Sequence, residues 1–150
     1  MRFDEITTNK KRFLDLLLLA DEQEDMVDHY LEDGRMFVLY ENGPKCEAVV
    51  TALSSDECEL KNLATASDEQ GKGYGKAMIQ FLLNEFLGPY KTMYVGTGDV
   101  PATLEFYKKC GFRESHRVKN FFTDNYHEPI IDHGVHLVDM VYLRIDFEKE

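Results

Sequence analysis

Asp68-Glu69-Gln70-Gly71-Lys72-Gly73-Tyr74-Gly75-Lys76 stands between a β-like run, Cys58 to Thr65, and an amphipathic run from about Tyr74 to Leu87. A glycine-rich turn leading from a strand into a helix gathers unpaired amides at the positive end of the helix dipole, and so makes an anion site. Glycines there let the backbone approach a phosphate closely. Two phosphate-binding patterns do not fit. A P-loop needs Ser or Thr after Gly-Lys to reach magnesium, and here Ala77 follows Gly75-Lys76. A dinucleotide fingerprint opened by Gly71 would need a small residue where Lys76 stands, and an acid on a following parallel strand.

On the carboxyl side, Ala77, Met78, Phe81, Leu82 and Phe86 recur at helical spacing until Gly88-Pro89 stops the helix. Lys91 to Val95 reads as a strand, Ala102 to Lys109 as a short helix closed by Gly111, and Phe112 to Val118 as a strand. The last strand is Val138 to Phe147. Lys119 to His136, with Pro129 and Gly134, reads as a long loop, a length usually functional or disordered in a small domain. On the amino side, Met36 to Tyr40, the turn Asn42-Gly43, Ala48 to Leu53 and Cys58 to Thr65 form an antiparallel meander. Before it lie a helix capped by Asn9 and ending near Ala20, and a second helix with a capping box at Asp21 and Glu24, closed by Gly34. This order implies a mixed sheet with helices on both faces, its parallel part running from Cys58 through Val95.

The 28 acidic and 17 basic residues give a net charge of −11, which argues against a DNA binder and for a cationic partner. At 150 residues and 43% apolar, the chain has enough for one core. Cys46, Cys58 and Cys110 match neither a disulfide framework nor a zinc pattern and fit a reducing cytosol. The acidic amino terminus and the lack of a long apolar run predict neither signal peptide nor membrane span.

Gln70-x-x-Gly73-x-Gly75, together with Phe106-Tyr107-Lys108-Lys109-Cys110-Gly111-Phe112 some thirty residues on, resembles the GNAT N-acetyltransferase superfamily. The likeness takes in the strand Glu59 to Thr65 and the element order on either side, so it covers essentially the whole chain. It implies an α/β, three-layer acyl-CoA N-acyltransferase fold: a mixed, mostly antiparallel seven-stranded sheet with helices on both faces, in one domain over residues 1–150. It further implies acetyl-CoA as cosubstrate, without a metal. The backbone of Leu63, Ala64 and Thr65 would pair with the pantetheine arm, and the loop Gln70, Gly71, Lys72, Gly73, Tyr74, Gly75 and Lys76 would hold the pyrophosphate. Thr65 and Ser67 stand where the family often has Val and Pro, and Val100 stands where it commonly has Asn.

By the same resemblance Tyr107 is the candidate acid toward the departing thiolate, and the amide of Thr65 the donor to the thioester oxygen. Glu59, eleven residues before Gln70, is the candidate general base, or else a carboxylate that orders the strand or binds the acceptor's charge. Cys58 and Cys110 read as core residues rather than nucleophiles.

The acceptor cleft that the family builds from its first two helices and the connection before the last strand would be acidic here. Residues 21–33 hold seven acids, Asp25 and Asp28 among them, and residues 123–139 hold four, with no Lys or Arg in either segment. Lys108, Lys109, Arg113, Arg117 and Lys119 fall on the cofactor side. The expectation is a cationic small-molecule amine, with Asp25, Asp28, Asn125 and Tyr126 as contacts. Phe121 and Phe122 would either anchor the loop or line the cleft. His127, His133 and His136 read as surface or substrate-contact residues rather than metal ligands. A non-catalytic acyl-CoA sensor and an enzyme acting on protein amino groups are the alternatives, and a homodimer is open.

Overall fold

The computed structural model describes residues 1–147. Its strands are β1 (Arg2–Ile6), β2 (Arg35–Tyr40), β3 (Pro44–Ala52), β4 (Glu57–Thr65), β5 (Thr92–Gly98), β6 (Arg113–Val118), β7 (Ile131–Asp132), β8 (Val135–His136) and β9 (Met140–Asp146). Its α-helices are α1 (Leu14–Ala20), α2 (Glu24–Asp28), α3 (Tyr74–Phe86), α4 (Pro101–Lys109) and α5 (Phe121–Asn125). Seven strands form one mixed sheet in the order β1-β2-β3-β4-β5-β9-β6. Each neighbouring pair is antiparallel except β4 with β5.

Strand alternation divides the core between the two faces. Phe37, Leu39, Cys46, Ala48 and Val50 point to one face, where α3 and α4 pack with Met78, Ile79, Leu82, Leu104 and Tyr107. Met36, Val38 and Val49 point to the other, covered by Leu17 of α1 and by Val27 and Leu31 at α2. Lys10 is buried and donates to the carbonyls of Leu31 (2.8 Å), Glu32 (3.2 Å) and Gly34 (2.7 Å), satisfying the end of the helical turns after α2. Among the described residues no helix is long and apolar enough to cross a membrane.

The decisive local feature is the departure of β4 from β5. Their parallel register runs only from Glu57 opposite Thr92 to Leu60 opposite Val95. Beyond that point β4 pairs with β3 alone as far as Thr65, and β5 pairs with β9 alone as far as Gly98. A bulge lies at the point of divergence. Val50 faces Leu60 and Val49 faces Asn62, so Lys61 has no counterpart. An extra residue bends its strand and increases the local twist, turning β4 away from β5 and leaving its later amides and carbonyls unpaired on that side.

Three local expectations need correction. Asn9 sits in the left-handed region at φ 50° without a side-chain cap, and Lys10–Phe13 form a 3-10 turn before α1. The Asp21 and Glu24 capping box does not form; Gln23 occupies the cap position of α2, without a side-chain cap. Asp21 is drawn away by two phenols, described below. The segment read as a loop from Lys119 to His136 contains α5 and the β7–β8 hairpin, whose turn uses His133 (φ 49°) and Gly134 (φ 77°). Five-residue helices carry too little periodicity to announce themselves, and α5 depends on tertiary bonds. The Phe122 amide donates to Val138 O (2.9 Å), and the Asn120 amide to Asp139 Oδ1 (2.9 Å).

Candidate active site

The turn from β4 into α3 is shaped by its glycines. Gly71 and Gly73 have φ of 80° and 88°, and Gly73 precedes α3 without any side-chain cap, so amides at this helix start have no competing acceptor. Gln70 Nε2 donates to Thr65 O (3.3 Å) and ties the turn to the end of β4. Glu69 bridges Lys72 (2.8 Å) and Lys45 (3.0 Å), which hold its carboxyl below the usual range. A Cβ on Gly75 would stand 3.3 Å from the Phe106 ring, so glycine there lets α3 approach α4 closely.

The divergence of β4 and β5 opens a cavity of about 380 Å³. Glu59 to Leu63 of β4 and Val95 to Gly98 of β5 form its floor, Thr103 and Tyr107 of α4 one wall, Leu19 to Glu22 and Tyr30 another. Phe121 and Phe122 of α5, with Tyr126 just after it, also line the cavity. Gly96 is required by close packing, since a Cβ there would meet Met140 Sδ at 2.7 Å and the Tyr142 ring at 2.9 Å.

Tyr107 is 8% exposed, edge-on to Phe106 and Phe112, and burial raises its phenol above the ordinary 10, so it stays protonated. Glu59 is 7% exposed, with Lys61 Nζ at 3.4 Å. Tyr142 from β9 stands beside it, and burial together with that carboxylate pushes the Tyr142 phenol up to about 12. The three cysteines are free and buried; burial pushes Cys46 and Cys58 to about 12 and raises Cys110.

Of the acceptor-side expectations, Tyr126 lines the cavity and three residues do not. Asp28 pairs with Lys11 (2.6 Å), Asp25 with Gln23 (2.5 Å) and His127 (3.4 Å), and the Asn125 amide turns back to Phe121 O (2.8 Å). The lining acids are Asp21, Glu22, Glu59 and Asp132. Asp21 accepts from Tyr30 (2.9 Å) and Tyr126 (2.6 Å), while Asn62 Nδ2 donates to the Tyr30 hydroxyl (3.0 Å) and Leu17 O (3.1 Å). This chain joins four segments, and nothing in local spacing signals it. The basic residues assigned to the cofactor side are largely spent on ion pairs: Lys108 with Glu114 (2.8 Å), Lys109 with Glu105 (3.9 Å), Arg113 with Asp146 (2.6 Å) and Arg117 with Asp99 (2.8 Å). Among the described residues, no three His, Cys, Asp or Glu side chains are grouped to hold a metal.

A family model described as an acetyltransferase (GNAT) domain matches residues 32–114. The uncharacterized N-acetyltransferase YvbK of Bacillus subtilis is 36% identical over 137 residues, 88% of this chain and 87% of that one. A GNAT family acetyltransferase from Elizabethkingia anophelis, solved with acetyl-CoA bound, superposes with a TM-score of 0.91 at 32% identity over 97% of both chains. A Bacillus subtilis acetyltransferase in complex with CoA gives 0.86 at 31% identity, again over 97% of both. The chain belongs to the GNAT acetyltransferase family.

Proposed function

We propose that the protein transfers the acetyl group of acetyl-CoA to a primary amine of a small cationic molecule, directly, within a ternary complex. One observation carries this reading: the unpaired edge of β4, the protonated Tyr107 and four carboxylates meet at a single cavity. The edge of β4 that β5 leaves free along Leu63, Ala64 and Thr65 suits a pantetheine arm, and the uncapped amides from Gly71 to Lys76 suit a pyrophosphate. Acetyl-CoA supplies the activated acyl group. Glu59, directly or through a water, takes the proton that the acceptor nitrogen must lose. The Thr65 amide stabilises charge on the thioester oxygen as the nitrogen attacks. When the carbon–sulfur bond breaks, Tyr107 gives the thiolate its proton and is reprotonated from solvent.

A covalent acetyl-cysteine route is disfavoured, because the buried thiols near 12 supply almost no thiolate at neutral pH. The lining acids raise the local concentration of a cation, which is why a charged amine is preferred over a neutral one. Buried free thiols also suit a reducing compartment, and we place the enzyme in the cytoplasm as one domain.

Thiol release from acetyl-CoA across a panel of small amines and peptides tests the reading. Release with cationic amines and intersecting double-reciprocal lines are expected. Parallel lines would contradict direct transfer, release with peptides alone would point to protein amino groups, and cofactor binding without release would leave a sensor.

A further inference from the structure

Lys61 is the residue that the bulge leaves without a partner on β4, and its side chain lines the cavity. Its ammonium lies 3.4 Å from Glu59 Oε2 and 5.4 Å from the centre of the Tyr30 ring. Among the described residues that line the cavity it is the only Lys or Arg. A carboxylate beside an aromatic face is a favourable place for an ammonium, and here the protein fills it with its own. The other groups facing this space come from every surrounding element. Asp21 and Glu22 lie on the α1–α2 connection, His29 and Tyr30 follow α2, and Tyr107 belongs to α4. Tyr126 follows α5, Asp132 and His133 belong to the β7–β8 hairpin, and Tyr142 stands beside Glu59.

A cationic acceptor brings a second ammonium to a carboxylate that already holds one. We propose that Lys61 activates the acceptor: it shares Glu59 with the incoming ammonium and, by like-charge repulsion, favours loss of the proton that blocks nucleophilic attack. This rests on the amine acetyltransferase function proposed above. The remaining acids, Asp21, Glu22 and Asp132, attract the molecule as a cation, while Lys61 opposes charge on one of its nitrogens. That nitrogen gives its proton to Glu59 or, through water, to solvent, and its freed electron pair forms the bond to the thioester carbon. Two unit charges several ångströms apart at an effective dielectric near 20 to 40 shift such an equilibrium by about one to two pH units.

The test measures kcat and KM for 1,4-diaminobutane from pH 6 to 10, at saturating acetyl-CoA, by thiol release. In Lys61→Met the ascending limb of kcat, which reports the bound state, is expected to move about one pH unit alkaline while KM falls several-fold. Lys61→Arg, which keeps the charge, is expected to hold the limb within about 0.3 unit of the wild type. An unmoved limb in Lys61→Met, or a raised KM, would overturn the proposal while leaving the proposed function standing. No turnover of any amine by the wild type would overturn that function and this inference with it.

Discussion

The carboxylate of Asp21 accepts the hydroxyl of Tyr126 at 2.6 Å, joining the α1–α2 connection to the far end of α5 across 105 residues of chain. The same carboxylate holds Tyr30, so one acid fixes two aromatic walls of the cavity. Tyr126→Phe removes only that bond. It is expected to lower stability by about 1–2 kcal/mol and to raise KM for the amine several-fold with little change in KM for acetyl-CoA. Denaturant unfolding and initial rates check both.

Tyr107→Phe keeps the buried ring among Phe106 and Phe112 and deletes the hydroxyl proposed as the proton donor. The maximal rate is expected to fall about a hundredfold while acetyl-CoA binds as before, read by calorimetry beside steady-state rates. Full turnover in the variant would remove Tyr107 from the acid role.

Gly73 at φ 88° opens the helix that follows the anion turn. Gly73→Ala forces a side chain into the left-handed region, at a cost of about 1 kcal/mol or more. The strain falls on the amides proposed for the pyrophosphate, so KM for acetyl-CoA should rise while KM for the amine holds.

Glu47 is fully buried, and both of its carboxyl oxygens lack a hydrogen-bond partner, so burial pushes its carboxyl well above the ordinary 4.5. Between the unfolded and folded values the native state binds the extra proton, and stability therefore falls as pH rises, by up to about 1.4 kcal/mol per unit. Glu47→Gln cannot ionise. It should match the wild type near pH 4 and become progressively more stable than it toward pH 7 in urea melts; a constant difference would contradict this.

How far these features can be read from the sequence follows the range of the interactions that make them. The turn from Gln70 to Gly75 and the helix after it are written in contiguous residues, and the parallel pairing of β4 with β5 follows from the strand–helix–strand order. The glycine at position 96, which makes room for Tyr142, and the acid at position 21, which captures two phenols, depend on partners dozens of residues away. Local spacing made Asp21 a helix cap, and tertiary bonds took it elsewhere. Charge counting pointed to Asp25 and Asp28 as acceptor contacts; in the structure these two pair with Lys11 and His127 away from the cavity, and the lining acids include Asp21 and Asp132. It also credited the cofactor side with cations that Glu114, Asp99 and Asp146 already pair.

Terminal charge on the acceptor decides whether this cavity acetylates a cationic amine, as proposed. Three four-carbon acceptors that differ in terminal charge separate the outcomes: 1,4-diaminobutane, 1-aminobutane and 4-aminobutyrate, compared by kcat/KM for thiol release from acetyl-CoA at low ionic strength. The expected order is diamine, monoamine, amino acid, with at least about tenfold between the ends and a spread that narrows as salt screens the cavity acids. Equal rates, the reverse order, or no release above background would contradict it.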